Sequence, residues 1–162
     1  MSLVEEKGYY LQDGADIPEI VSDITGFEDP NKQPEDYAVY IIKCDSYDCG
    51  YVGKQNFLDS WEDWVIRGDF EKCYDPHDPE KWAWAAFYSD ELYYVGQTNS
   101  LHFRIHDHAW DPDRTSVFNC VFTPTWLQRV EWVKSRDAAL KLESELAEQY
   151  SDKSENKFAY SA

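Results

Sequence analysis

Residues 93–108 contain side chains that are suited to phosphate chemistry. On a helix, Arg104 and His108 would lie one turn above each other, because residues four apart share a helix face. A guanidinium can bind two phosphate oxygens at once, and a histidine can donate to an oxygen or position a water. Next to Tyr94 at the end of a strand, these groups suit an oxygen-rich anion such as a phosphodiester.

The elements that would position these groups are a strand followed directly by a helix. The pattern predicts a strand that stops at Gly96 and a helix that begins near Thr98 or Asn99. Leu101 and Ile105 form the apolar stripe of this helix, which favours packing against a core. Without other motifs, the same pattern fits an ordinary amphipathic helix equally well.

A carboxylate on a second helix is the candidate metal ligand. This helix is predicted from about Ser135, a plausible N-cap. Glu143 lies about 100° from Leu142 around the helix axis, at the edge of the apolar stripe. Burying a carboxylate there is costly unless a cation meets it, and Mg²⁺ commonly uses one or two carboxylates plus water and phosphate oxygens. The alternative is a half-exposed Glu paired with a Lys or Arg. The stripe consists of Ala139, Leu142, Leu146 and Tyr150, and Glu145 and Glu148 point away from it.

The order of these motifs resembles the GIY-YIG nuclease family. Ala38-Val39-Tyr40 is similar to its first motif and Tyr94-Val95-Gly96 to its second. Arg104 and His108 match the family's helix, and Glu143 matches its metal-binding carboxylate. The resemblance extends over about 37–43 and 92–150.

The resemblance implies an α/β (α+β) domain with a small, three-stranded, mainly antiparallel sheet flanked by helices. It also implies an endonuclease that hydrolyses DNA phosphodiester bonds with Mg²⁺ or Mn²⁺ held by Glu143. Tyr40 would activate the attacking water and Tyr94 would orient it, while Arg104 and His108 would contact the phosphate. A phenol with a pKa near 10 is a poor base at neutral pH, so Tyr40 would need a neighbouring group to help it.

The same resemblance implies substrate contacts near the second motif and at the tail. Gly96 and Thr98 are predicted to contact substrate at the end of the strand. The family usually ends with an asparagine, and here Ser161 stands at that position with Asn156 as a possible substitute. Ala38 likewise replaces the glycine of the first motif.

A second copy of the tripeptide makes the register ambiguous. Tyr51-Val52-Gly53 also looks like the second motif and lies at a natural hairpin distance from Tyr40. However, Trp61 and Val65 follow it at the offsets where Tyr94 has Arg104 and His108. We therefore predict that Tyr40 and Tyr94 lie on neighbouring strands, with their hydroxyls near Arg104. A third register, with Trp84 replacing the first tyrosine, would lose the phenol.

The chosen register divides the chain into a lead-in, a domain and an insertion. Residues 1–36 are predicted to be an acidic lead-in or linker, with a short helix around 16–24. Residues 37–162 are predicted to form the nuclease-like domain, with an inserted subdomain at about 44–91. No stretch approaches the roughly 20 apolar residues of a membrane span, and the N-terminus does not resemble a signal peptide. A cytoplasmic protein without a membrane partner is expected.

The insertion offers two further possibilities. Its many aromatic side chains could stack on bases, although most such rings are expected to pack a core. Cys44, Cys49, Cys73 and His77 could instead bind a structural zinc, at a spacing on the edge of the usual range. In a cytoplasmic protein these cysteines and Cys120 are expected to be reduced thiols.

The net charge opposes a nucleic-acid partner unless salt screens it. The chain has 32 acidic and 15 basic residues, for a formal charge of -17, whereas phosphate binding normally relies on Lys and Arg. At molar salt the Debye length falls to roughly 3 Å. The acidic residues are spread along the whole chain, which favours a haloarchaeal or haloviral source, although Lys outnumbers Arg.

Two functions of other classes remain open. The chain could be a catalytically degenerate GIY-YIG scaffold that binds nucleic acid without cutting it. It could also be an acidic protein-binding module or DNA mimic, whose surface occupies the DNA site of another protein.

We predict that salt stabilises this protein, because unscreened like charges destabilise a compact state. The melting temperature should rise as KCl increases from ~0.1 M, where the Debye length is about 10 Å, towards multimolar concentrations. Differential scanning calorimetry would measure the trend. A flat or falling trend would remove the halophilic explanation of the charge.

Overall fold

The computed structural model describes residues 8–45, 89–111, 122–152 and 154–161. Within these ranges the chain is an α+β fold with five strands and three helices. In chain order they are β1 (Tyr9–Tyr10), α1 (Ile17–Thr25), β2 (Tyr37–Asp45), β3 (Glu91–Thr98), α2 (Leu101–Trp110), β4 (Thr123–Val133), α3 (Arg136–Tyr150) and β5 (Lys157–Ser161).

The strands form one mixed sheet in the order β1-β4-β2-β3-β5. The central strand β2 pairs antiparallel with both β3 and β4, as the prediction of a mainly antiparallel sheet requires. The predicted number of strands was wrong, because the sheet has five. The lead-in supplies β1, antiparallel to β4, and the tail supplies β5, parallel to β3.

Helices cover both faces of the sheet. On one face, α1 and α2 bury apolar side chains against Tyr40, Ile42 and Tyr94. On the other, α3 buries Ala139 and Leu146 against Val39, Ile41 and Val95. Strand β2 is apolar on both faces because both are covered, and a strand between two helical layers needs no polar side.

The pairing of β2 with β3 confirms the predicted register. Tyr40 lies opposite Gly96, and Ile42 lies opposite Tyr94. The two tyrosines therefore stand on neighbouring strands. The competing motif at 51–53 lies outside the described residues, as do the insertion from residue 46 to residue 88 and three of the four possible zinc ligands.

Part of the predicted linker belongs to the core, which corrects the expectation for residues 1–36. Helix α1 is close to the short helix expected around 16–24, and its N-cap Asp16 accepts a hydrogen bond from the Glu19 amide at 3.1 Å. Leu11 and Val21 are fully buried in the cluster that contains Tyr40. A linker would not bury apolar side chains in this way.

The predicted element boundaries were correct at one helix and shifted at another. Ser135 caps α3 as expected, accepting from the Ala138 amide at 3.1 Å. Strand β3 continues past Gly96 to Thr98, because its ladder with β2 extends to Ala38. Helix α2 consequently begins at Leu101. In the described part of the chain, no helix is long and apolar enough to cross a membrane.

We predict that Leu11→Ala destabilises the domain by about 2–5 kcal/mol, the usual range for emptying a buried leucine site. The exposed Leu140→Ala on α3 is the matched control and should change the free energy of unfolding by less than about 0.5 kcal/mol. Urea denaturation would measure both. If both substitutions changed the free energy of unfolding equally, residues 8–16 would be a linker and not part of the core.

Candidate functional site

The site is built around Tyr40, whose ring lies across Gly96 on the neighbouring strand. A Cβ atom added at Gly96 would stand 2.5 Å from the Tyr40 hydroxyl oxygen and 2.6 Å from its Cζ. No side chain fits in that space. Gly96, predicted to contact substrate, thus lies directly behind the phenol and allows its close approach.

Helix α2 places His108 against the hydroxyl of Tyr40. The His108 Nε2 and the Tyr40 hydroxyl oxygen are 2.7 Å apart, and both side chains are buried. The imidazole also packs on Tyr94, with ring centroids 4.9 Å apart. This geometry differs from the expectation that His108 addresses a phosphate or a water, because its Nε2 is engaged by the phenol.

Arg104 joins the two tyrosines, one turn before His108 on the same helix. Burial lowers the pKa of the guanidinium, but interactions with the hydroxyls of Tyr40 and Tyr94 outweigh this effect and raise it. Its side chain keeps 28% of its surface exposed and lies 4.0 Å from the Asp107 carboxylate. Arg104 therefore connects the buried phenols with the surface.

Burial raises the pKa of the Tyr40 phenol well above its usual value, and Tyr94 adds to the rise. The Arg104 cation opposes this change through its charge and a hydrogen bond, while the Glu143 charge reinforces it. At neutral pH Tyr40 is therefore a neutral phenol. Any proton that it accepts must be matched by one that it gives away, and His108 Nε2 is the neighbour that can receive it.

Glu143, which helical spacing placed at the edge of the apolar stripe, is buried, with 4% of its surface exposed, so it is not the half-exposed Glu of the alternative. It lies on α3, which covers the face of the sheet opposite to the Tyr40 ring, yet its charge still acts on the Tyr40 phenol. The described residues contain no group of three or more His, Cys, Asp or Glu that could hold a metal ion. The donor set fits only a metal that completes its shell with water and substrate oxygens, as Mg²⁺ does.

The other residues predicted to bind substrate have different positions. The Thr98 hydroxyl accepts from the Ser100 amide at 3.0 Å in the turn before α2. Ser161 pairs with Val95, close to Gly96 along the sheet. Asn156 lies at the other end of β3, where its carbonyl accepts from the Asp90 amide, six residues and about 20 Å from Gly96 at 3.3 Å per residue.

The other two histidines of α2, His102 and His106, lie away from the cluster. His102 Nδ1 is 2.9 Å from the Asn31 side-chain oxygen, and His106 is exposed. Sequence reasoning missed Tyr160, which stacks on Tyr94 with centroids 6.2 Å apart. The only available signal was the strand-like tail, since its parallel pairing with β3 could not be deduced from spacing.

We predict that Gly96→Ala displaces the Tyr40 ring and destabilises the domain by about 1–3 kcal/mol, the usual penalty for overpacking. The same substitution should be much less costly in a Tyr40→Ala background, because the side chain it strikes is absent. Urea denaturation of the four proteins in this cycle would measure the coupling. If the two substitutions changed the free energy of unfolding independently, the close contact between Gly96 and the Tyr40 ring would be contradicted.

Comparisons with known proteins do not extend the resemblance described above. No protein-family model, no curated protein and no solved structure matches this chain.

Proposed function

We propose that this protein is a metal-dependent endonuclease that hydrolyses DNA phosphodiester bonds. The observation that carries the proposal is the shared contact of Arg104 with the hydroxyls of Tyr40 and Tyr94, with His108 bonded to Tyr40. Two phenols, a guanidinium and an imidazole that touch each other supply both an anion-binding group and a route for a proton.

Arg104 binds the scissile phosphate in this proposal. It is the cation of the cluster that reaches the surface, and a guanidinium can bind two phosphate oxygens in its plane. Its charge would also stabilise the additional negative charge that develops as water attacks phosphorus. The interactions with the two phenols hold its side chain in place before substrate arrives.

Tyr40 and His108 together remove the proton of the attacking water. The Tyr40 side chain is fully buried in the free protein, so the attacking water would have to enter beside Arg104. It would give a proton to the Tyr40 oxygen while the Tyr40 proton passes to His108 Nε2, 2.7 Å away. The phenol starts and ends neutral, which agrees with its raised pKa. This relay requires a His108 imidazole that is unprotonated at Nε2. His108 then provides the proton acceptor that an isolated phenol lacks.

Glu143 would hold the metal ion, and the bound ion would supply Lewis-acid stabilisation of the negative charge on the phosphate. Its carboxylate is the buried acid of α3 and is close enough for its charge to influence Tyr40. Mg²⁺ commonly binds through one or two carboxylates, with water and substrate oxygens as the other ligands. Mn²⁺ has similar ligand preferences and should substitute for it.

An acidic groove favours a second candidate function, that of a protein-binding module. It has a volume of about 810 Å³, and Asp16, Glu19, Asp23 and Glu28 contribute to its lining. These carboxylates would suit a basic partner. In that case the acidic surface itself would be functional, and no cleavage would be observed.

We expect Arg104→Ala to lower the rate of DNA cleavage on the order of 10²–10³-fold, the usual loss for one charge-stabilising donor. Glu143→Ala should abolish cleavage in the presence of Mg²⁺, whereas the exposed Glu145→Ala should cut normally. The assay uses duplex, branched and flap DNA in multimolar KCl, with and without Mg²⁺. If the wild-type protein cuts none of them, the nuclease proposal fails and the catalytically degenerate nucleic-acid-binding scaffold is favoured. If Glu145→Ala is as damaging as Glu143→Ala, the metal position is wrong.

The relay predicts that Tyr40→Phe and His108→Ala each slow cleavage about 10²–10⁴-fold, the usual contribution of general acid–base catalysis. The double variant should be little slower than either single variant, because both substitutions interrupt one proton path. The exposed His106→Ala is the control. Multiplicative losses in single-turnover kinetics would show that the two residues act separately.

A further inference from the structure

Helix α2 is capped by a side chain from another segment of the chain. In the part of the chain that the structure describes, the N-cap Ser100 makes no side-chain hydrogen bond to the first turn of α2. Its own amide donates to the Thr98 hydroxyl at 3.0 Å. The Leu101 amide donates instead to Gln33 Oε1 at 3.3 Å, so a residue 68 positions away supplies the acceptor that the start of a helix needs.

The nitrogen of the same side-chain amide binds three backbone carbonyls. Gln33 Nε2 donates to the Asn99 carbonyl at 2.9 Å, in the turn between β3 and α2. It also donates to the Glu35 and Asp36 carbonyls at 3.0 and 3.2 Å, directly before β2. An amide nitrogen carries two hydrogens, so the three carbonyls share them, and together they fix which side-chain atom is the nitrogen. One side chain therefore joins the start of β2 to the start of α2.

A second contact joins the same segment to α2. Asn31 lies two residues before Gln33, and its side-chain oxygen is 2.9 Å from His102 Nδ1. Residues 26–36, which connect α1 with β2, are thus attached to the start of α2 at two points. Both contacts are directional hydrogen bonds, which specify a position more closely than apolar contact does.

These hydrogen bonds matter because apolar packing alone does not fix where α2 lies along its axis. Leu101 and Ile105 are buried against the sheet and hold the helix on its surface. The hydrophobic effect is non-directional, so it opposes lifting of α2 more strongly than a small slide. A slide would move His108 away from the Tyr40 hydroxyl, and their 2.7 Å hydrogen bond would weaken as the atoms separate.

We propose that Gln33 is a positioning residue of the candidate site, whose amide sets the distance of Arg104 and His108 from Tyr40. Strand β2 carries the tyrosine and α2 carries the other two, and Gln33 is bonded beside the first residue of each element. A side-chain amide suits this role because it donates to the carbonyls and also accepts from the helix, whereas a carboxylate of the same shape can only accept. The effect on cleavage rests on the proposed function, but the effect on the contact between Tyr40 and His108 does not.

The first test is nuclear magnetic resonance of protein with ¹⁵N-labelled histidine, without DNA or metal, at a pH of about 8, where an ordinary imidazole is neutral. The Nε2 resonance of His108 reports its hydrogen bond and is assigned as the signal that His108→Ala loses. Tyr40→Phe lacks the hydroxyl and gives the position of the unbonded ring. In Gln33→Glu a carboxylate faces three carbonyl oxygens, so we expect the His108 signal to move most of the way towards its position in Tyr40→Phe.

Gln12→Glu is the matched control. Gln12 is also half-buried, and its Nε2 donates to the Pro124 carbonyl at 2.7 Å. Pro124 pairs with Cys44, at the far end of β2. The control makes the same chemical change there, so it should lower the melting temperature without moving the His108 signal. Gln33→Met removes the amide without adding a charge, and it should move the signal as Gln33→Glu does.

The second test measures cleavage in single turnovers, with a saturating concentration of the DNA that the wild-type protein cuts fastest. Gln33→Glu should slow the cleavage step about 10²-fold, the usual loss when a reacting group is displaced by about 1 Å. Gln12→Glu should cut at the wild-type rate. All rates are compared at a temperature at which each variant is folded, so that unfolding does not contribute to the loss.

Two results would overturn the inference. One is a His108 signal that keeps its wild-type position in both Gln33 variants. The other is an equal displacement in Gln12→Glu, which would show that any loss of stability disturbs the contact. A wild-type protein that cuts no DNA would refute the nuclease, while the His108 signal would still test the position of α2. Wild-type cleavage by a Gln33→Glu protein with a displaced His108 signal would refute the proton relay and leave the positioning role of Gln33 intact.

Discussion

The close approach of Tyr40 to Gly96 is the constraint on which the candidate site depends. It is possible because β2 and β3 pair in a register that places these residues opposite each other. With the ring across the glycine, its hydroxyl meets His108 at 2.7 Å and interacts with Arg104. A shift of one residue in this ladder would turn Tyr40 to the face covered by α3 and leave both helix residues without the phenol. The fold and the chemistry are therefore specified by the same pairing.

Burial determines what these groups can do. Tyr40 and Tyr94 are almost completely inaccessible, which keeps the Tyr40 phenol neutral and strengthens its interaction with neighbouring charges. Arg104 interacts with both phenols and keeps 28% of its side chain exposed. A substrate bound at the surface would therefore interact with the buried Tyr40 and Tyr94 phenols through the Arg104 guanidinium. The arrangement suits a site whose geometry is fixed before binding, since buried side chains have few alternative positions.

The sequence predicted those features that depend on local periodicity. The N-cap of α3, the buried position of Glu143 and the shared face of Arg104 and His108 all follow from helical spacing, and the structure agrees with them. Contacts between distant segments could not be predicted in the same way. The two-residue strand β1 has too little pattern to recognise, and the parallel pairing of β5 depends on how the tail returns to the sheet. The bond between Tyr40 and His108 joins residues 68 positions apart, and no spacing rule predicts which partner a buried imidazole selects.

The parallel strand β5 holds the start of β3, the strand that carries Tyr94. The Asp90 amide is bonded to the Asn156 carbonyl, and Lys157 forms ion pairs with Glu91 and Glu155. These contacts with the C-terminal strand fix the start of β3. On its other side, Leu92 of β3 pairs with Cys44 of β2. The position of Tyr94 is therefore held from both sides of β3, by β2 over seven residue pairs and by the C-terminal strand β5 over five.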